Sequence, residues 1–280
     1  MKFGKTLGWC GLMALTPPAL AAGGVTEVVV YADAGYPPYA YQEGGMPRGV
    51  YTDILKQAFS RMKGYSVTIR AEPWPRILAS VKRGEYFAFY PPYQHRKERP
   101  YVEPYSVAIL EERVEPLCRE AVMHAKRTRF PDDFGGLRIL RNASFAIGGE
   151  GLASFSAQGR IQLAEVASTS QALRMIAANR ADCYLGDPQA VGFELRANPV
   201  YDVSGKLLTL LPGPEISRNT GHVGYAADGR RFPFKDDFVR QLDAILSRMR
   251  QNGEIDAIAK RHFKQENAKQ GRLDAPPNGR

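Results

Sequence analysis

Apolar positions along the chain switch between two periods, and the switching draws a β-α-β-α order. Glu27–Ala32 contains Val28-Val29-Val30-Tyr31, a β-branched run with the character of a buried strand. Gly35-Tyr36-Pro37-Pro38-Tyr39 then reads as a loop. From Tyr51 to Met62, the residues Ile54, Leu55, Ala58, Phe59 and Met62 recur at three- and four-residue spacing, which gathers them on one helix face. Tyr65, Val67 and Ile69 alternate with polar residues and predict a second strand. Trp74–Arg83 reads as a second helix, with Pro75 early and Gly84 just past its end. Strands separated by helices of this length favour a parallel sheet with crossover connections.

The pattern restarts after about residue 120. Leu137–Ala146 is strand-rich, and Gly148-Gly149-Glu150-Gly151 reads as a glycine turn. Ser168 is placed to cap a helix running through Asn179, with Ala172, Leu173, Ile176 and Ala177 inward. Cys183-Tyr184-Leu185 is a short strand, and Asp187-Pro188 opens another helix. Two helices close the pattern. Phe238, Leu242, Ile245, Leu246 and Met249 form one stripe, and beyond Gly253 a second is made by Ile255, Ile258, Ala259 and Phe263. The polar stretch 265–280 is expected to be a disordered tail.

The first residues change the picture of where the chain works. Lys2 and Lys5 precede a mainly apolar stretch, Thr6–Leu20, that ends in Ala19-Leu20-Ala21, the order of a secretory signal peptide over residues 1–21. That stretch is too short to span a bilayer and contains Pro17 and Pro18. Trp9 ahead of Cys10 does not fit a lipid-attachment box, which needs a small residue there. The expected product is exported to the periplasm. With 44% hydrophobic and 24% charged residues it has globular composition, and its length suits two domains. The net charge of +9 comes with no dense basic run, so a nucleic-acid partner is not expected. Cys118 and Cys183 remain after export, and the sequence leaves their pairing open. His95, His124, His222 and His262 are scattered and form no ligand cluster with cysteine, so neither a metal nor any other cofactor is expected.

Six short segments, in order, resemble the family 3 solute-binding proteins, the polar amino-acid binding proteins of ABC importers. They are the aromatic-proline loop Tyr36-Pro37-Pro38-Tyr39-Ala40-Tyr41; Gly49-Val50-Tyr51-Thr52-Asp53-Ile54-Leu55; Trp74-Pro75-Arg76-Ile77-Leu78 with Gly84; the Arg-rich stretch from Arg96 to Pro104-Tyr105; Ala181-Asp182-Cys183-Tyr184-Leu185-Gly186-Asp187; and Gly253-Glu254-Ile255 with Lys260-Arg261-His262-Phe263. The resemblance covers nearly the whole mature chain. It implies an α/β periplasmic binding protein fold of two lobes. Each lobe is a mainly parallel sheet with flanking helices, and two hinge strands join them. Lobe 1 is expected over 25–117 and 222–264 and lobe 2 over 118–221, with crossings near Val114–Cys118 and His222–Ala226. Hinge closure would bury a solute that each lobe alone holds by half.

The resemblance also implies site residues. A ligand carboxylate suits a guanidinium fork, here Arg96 with Arg99 as its competitor. A ligand ammonium suits Asp187, which also fits a helix cap. Tyr36, Tyr39, Tyr90, Tyr93 and Trp74 are candidate aromatic walls, and Arg76 is a further candidate. Gly149 and Glu150 sit where a glycine turn would present N–H groups to an anion or a carboxylate to a cation. The stretch Tyr90-Pro91-Pro92-Tyr93-Gln94-His95 departs from the family's small residue and Thr ahead of its arginine, which points to a solute larger or more aromatic than a standard α-amino acid. The expected partner is an ABC permease, or a membrane sensor in its place, and the expected state is a monomer. An enzyme on this fold, dehydratase-like, would need a proton donor such as Glu150 or Glu194, and no motif marks one.

Overall fold

The structure is a computed structural model and describes residues 24–123, 127–143, 145, 147 and 149–273. The segment read as an export signal lies outside them. Strand β1 (Thr26–Asp33) leads into a small sheet of β2 (Gly35–Tyr36), β3 (Ala40–Glu43) and β4 (Met46–Arg48). Helix α1 (Val50–Phe59), β5 (Tyr65–Glu72), α2 (Trp74–Lys82), β6 (Ala88–Tyr90) and β7 (Val102–Tyr105) follow. β1 pairs in parallel with β5 along its whole length and with β6 on its other side, as the periodicity predicts. The sheet is completed from the far end of the chain by β14 (Gly224–Ala226), antiparallel to β6 and β7.

Alternation in β1 sends Val28 and Val30 to one face, where they meet Ile54, Leu55 and Ala58 of α1. The same core takes Phe238, Leu242, Leu246 and Met249 from α6 (Lys235–Gln251) and Ile255 and Ile258 from α7 (Glu254–Leu273). The opposite face is covered by α2, whose Trp74, Ile77, Leu78 and Val81 pack on Phe89 and Val102. Gly253 turns the chain between the last two helices at φ 75°, a conformation that glycine adopts at little cost. Helix α7 continues through Leu273 and corrects the expectation that disorder begins at 265.

The second sheet is inserted between these parts. It contains β9 (Arg138–Asn142), β10 (Gln162–Val166) and β11 (Cys183–Gly186) in parallel, then β8 (Leu110–Arg119) and β12 (Leu210–Pro212) antiparallel. Helices α3 (Gly149–Ala157), α4 (Thr169–Ala177) and α5 (Pro188–Ala197) accompany it. Ser168 caps α4 by accepting from Gln171 N, and Asp187 caps α5 by accepting from Gln189 N and Ala190 N. Gly149–Gly151, read as a turn, instead form the first helical positions of α3.

The chain leaves the first sheet along β8 and returns along β13 (Ser217–Gly221), which pairs antiparallel with the first half of β8. The return thus precedes the residues 222–226 expected from sequence. Cys118 on β8 lies opposite Cys183 on β11, and the two form a disulfide across 65 positions of sequence.

Candidate binding site

The parallel pairs set the position of the site. β1 and β5 end at Asp33 and Glu72; β9 and β10 end at Asn142 and Val166. These carboxyl ends border one gap between the sheets, the region where α/β sheets take their ligands. A crevice of about 340 Å³ lies there, lined by Asp33, Pro73, Trp74, Asn142, Phe145 and Ala167 among others. An adjoining chamber of about 20 Å³, room for about one water, shares Asp33, Trp74 and Phe145 with it and adds Tyr36, Pro91, Tyr93, His95, Arg99 and Ile147. Phe145 belongs to both walls. Its ring meets Tyr36 edge-on at 5.8 Å and Trp74 at 6.1 Å.

Four charged side chains are buried at or beside this space. The Arg99 guanidinium stands 5.6 Å from the centroid of the Trp74 ring, and the residue is only 6% exposed. Burial lowers its pKa. Asp33 is 3% exposed and accepts one hydrogen bond among the described residues, from Gly35 N at 2.8 Å. Burial without a facing cation pushes its carboxyl up to about 7. Asp187 accepts from Gln189 N and Ala190 N, from Tyr39 Oη at 3.1 Å and from Arg113 N at 3.2 Å. Burial raises its pKa as well, with those donors opposing the shift. The Tyr39 bond ties a loop of the first unit to the α5 cap of the second.

Glu112, on the crossing strand β8, accepts from three tyrosines: Tyr36 at 2.5 Å, Tyr51 at 2.5 Å and Tyr93 at 2.7 Å. Its carboxyl is fully buried and pushed up to about 7 by desolvation, against those donors. On the partner strand β13, Gly221 makes room for the cluster; a Cβ there would lie 1.9 Å from Tyr51 Oη. Because Glu112 takes the hydroxyls of Tyr36 and Tyr93, both are engaged away from any ligand.

Of the residues named from sequence, Tyr36, Trp74, Tyr93 and Arg99 come together in the chamber, and Tyr39 and Asp187 are joined beside it. Arg96 does not reach it. Its side chain is 55% exposed, pairs with Glu103 and lies over Tyr105. Arg76 is 66% exposed and pairs with Glu72. Tyr90 is sealed in the first sheet, its hydroxyl 2.8 Å from Thr52 Oγ1. Gly149 and Glu150 open α3. Sequence reasoning passed over Asp33, Glu112, Asn142 and Phe145. Asp33 had a signal: a carboxylate at the carboxyl end of an apolar strand. Glu112, Asn142 and Phe145 had none, because their roles arise from contacts between distant segments.

The family model of the bacterial extracellular solute-binding proteins, family 3, matches residues 28–265. The chain belongs to that family. Comparison with curated protein sequences returns no match. Among solved structures, this family 3 protein is similar to a histidine kinase sensor domain with similarity to periplasmic binding proteins, at TM-score 0.67 and 17% identity over 84% of this chain and 95% of that one. It is similar to the substrate-binding protein of an amino acid ABC transporter, at TM-score 0.64 and 17% identity over 85% and 100% of the two chains. A third is the ancestral amino acid-binding protein AncCDT-1, a precursor of cyclohexadienyl dehydratase, at TM-score 0.64 and 12% identity over 85% and 95%. At these identities the likeness is one of fold: two α/β lobes of a solute-binding protein.

Proposed function

We propose that this family 3 protein is exported to the periplasm, where it captures a small carboxylate-bearing solute, an amino acid or a relative, for an ABC importer. The observation that carries the reading is a buried guanidinium, Arg99, aimed into an aromatic-walled space between the two sheets. A guanidinium is the side chain best shaped for a carboxylate, and burial strengthens the pairing. The role expected of Arg96 thus passes to Arg99. Trp74, Tyr36 and Tyr93 supply the walls, and β8 with β13 supplies the hinge between a lobe of 25–117 and 222–264 and a lobe of 118–221.

The direct test is a thermal-shift screen of the purified protein against amino acids, opines and aromatic acids. A solute at one hundred times its dissociation constant should add about 2.7 kcal/mol of stability. Arg99→Ala should weaken a carboxylate ligand roughly tenfold or more. Arg96→Ala should leave affinity within twofold. A screen with no stabilising solute, or equal effects of the two substitutions, would remove the reading.

The likeness to a kinase sensor domain favours a second reading, in which the loaded protein docks on a membrane sensor. Pull-down of a permease subunit rather than a sensor from membranes separates the two. Binding without turnover is our reading, since Glu112 and Asp187 are held by donors of the chain itself. Conversion of prephenate or arogenate by the purified protein would contradict it.

A further inference from the structure

Strand β5 ends the first sheet and pairs with β1 alone. At its two ends Thr26 N donates to Gly64 O and Ala34 N to Glu72 O, which fixes the phase of the parallel ladder. Even-numbered residues of β5 therefore turn their N–H and C=O toward β1. The N–H and C=O of Tyr65, Val67, Ile69 and Ala71 point the other way and bond to no backbone group among the described residues. Natural sheets blunt such edges with short strands, proline or a covering loop. This strand is 8 residues long, β-branched through Val67-Thr68-Ile69, and holds no proline.

The open edge lines a groove of about 720 Å³ on the first lobe, away from the crevice between the sheets. The β3–β4 hairpin borders it through Met46 and Pro47, and the end of α1 borders it through Lys56 and Phe59. Met46, a large apolar side chain, is 57% exposed there. Outward N–H and C=O groups recur about every 7 Å along such an edge. Another extended backbone repeats its own donors and acceptors at the same spacing, which is the basis of recognition by strand addition.

Side chains of an added strand alternate between two faces. On the face shared with α1 they meet Phe59 and Met62; on the other they meet Arg70. Lys56 and Arg70 have no ion pair among the described residues, whereas Glu72 pairs with Arg76. A segment that alternates apolar and acidic residues matches both faces and the charge. Two other occupants fit less well. A second copy would bring its own hairpin and α1 against these walls. The chain beyond Leu273 carries Pro276 and Pro277, which have no N–H to donate.

We propose that this groove is a docking site for an extended acidic segment of another protein, which joins the first sheet as a strand beside β5. The site stands apart from the solute-binding reading, and neither depends on the other.

The test is fluorescence anisotropy of the full exported protein with a labelled octapeptide of alternating valine and glutamate. One control replaces glutamate by lysine. Two others keep the sequence but are N-methylated, one on the valine amides and one on the glutamate amides; one of these two sets must face β5. The expected result is saturable binding of the acidic peptide. The lysine peptide and at least one N-methylated peptide should bind about tenfold more weakly or worse. Ile69→Pro removes an outward N–H and leaves the ladder to β1 whole, so it should weaken the acidic peptide to a similar degree. Arg70→Glu should weaken it several-fold. If Ile69→Pro fails to fold by circular dichroism, Arg70→Glu and the peptide set decide alone. No saturable binding of the acidic peptide overturns the proposal, and so does equal binding of the lysine peptide or of both N-methylated ones. Dimers in analytical ultracentrifugation that Ile69→Pro renders monomeric would assign the edge to a second copy and overturn it as well.

Discussion

The buried carboxyl of Glu112 shows how much one residue's surroundings can decide. Its pKa stands raised from 4.5 to about 7, with desolvation outweighing three hydroxyl donors. A carboxyl raised in the folded state holds its proton more tightly there than in the unfolded chain. Its stabilising contribution is therefore complete below about pH 4.5 and is lost as pH rises through about 7. Asp33 is raised to about 7 as well, so it acts in the same direction and in a similar window. Unfolding midpoints in urea, measured from pH 5 to pH 8, should fall for the native protein. Glu112→Gln should remove part of that fall, on the order of 1–3 kcal/mol. Parallel curves for the two proteins would show that Glu112 is not the titrating group. Gly221→Ala probes the same cluster sterically. Its Cβ would collide with Tyr51 Oη, and the overpacking should cost about 1–3 kcal/mol in the same assay.

Among the elements, those whose apolar stripe faces a core were legible from the sequence alone. Helix α1 was visible because Ile54, Leu55 and Ala58 had to reach β1, and the Asp187-Pro188 start of α5 because its capping chemistry is local. Where the reading stopped short, no core contact imposed a pattern. Helix α7 runs on past Phe263 through Gln265 and Ala268 to Leu273, residues that favour helix but show no apolar period. Arg96 and Arg99 could not be separated by spacing, because the turn that bonds Arg99 N to His95 O decides which guanidinium faces inward. Likewise the two cysteines gave no geometry until β8 and β11 were placed side by side. Their disulfide closes a long loop across the inserted sheet, and the chain-entropy estimate for 65 residues is about 4 kcal/mol. Reduction with dithiothreitol, or Cys118→Ser with Cys183→Ser, should lower Tm on the order of 10 °C. A shift under about 2 °C would mean that the reduced chain keeps the same constraint by packing alone.

For the molecule as a whole, the lobes already touch where the solute would enter. Phe145 of the second lobe sits against Tyr36 and Trp74 of the first, and Tyr39 Oη donates to Asp187 across the gap. Under the proposed hinge closure, the closed form would therefore have contacts of its own, and a solute would shift an equilibrium rather than create a state. How far it shifts depends on what holds the empty form shut. A hydrogen bond to a carboxylate contributes about 1.5–3 kcal/mol, so its removal should change the closed-to-open ratio roughly tenfold or more. Tyr39→Phe removes that bond and keeps the ring stacked on Tyr36. Small-angle scattering of the solute-free protein should then show a larger radius of gyration for Tyr39→Phe than for the native chain, and a saturating solute should bring the two back together. The native α5 cap survives the change, since Gln189 N and Ala190 N still donate to Asp187, so an increase in size would report the hinge and not a frayed helix. Identical solute-free profiles would place the closing force in the Phe145 contact, and Phe145→Ala would then be the variant that opens the cleft.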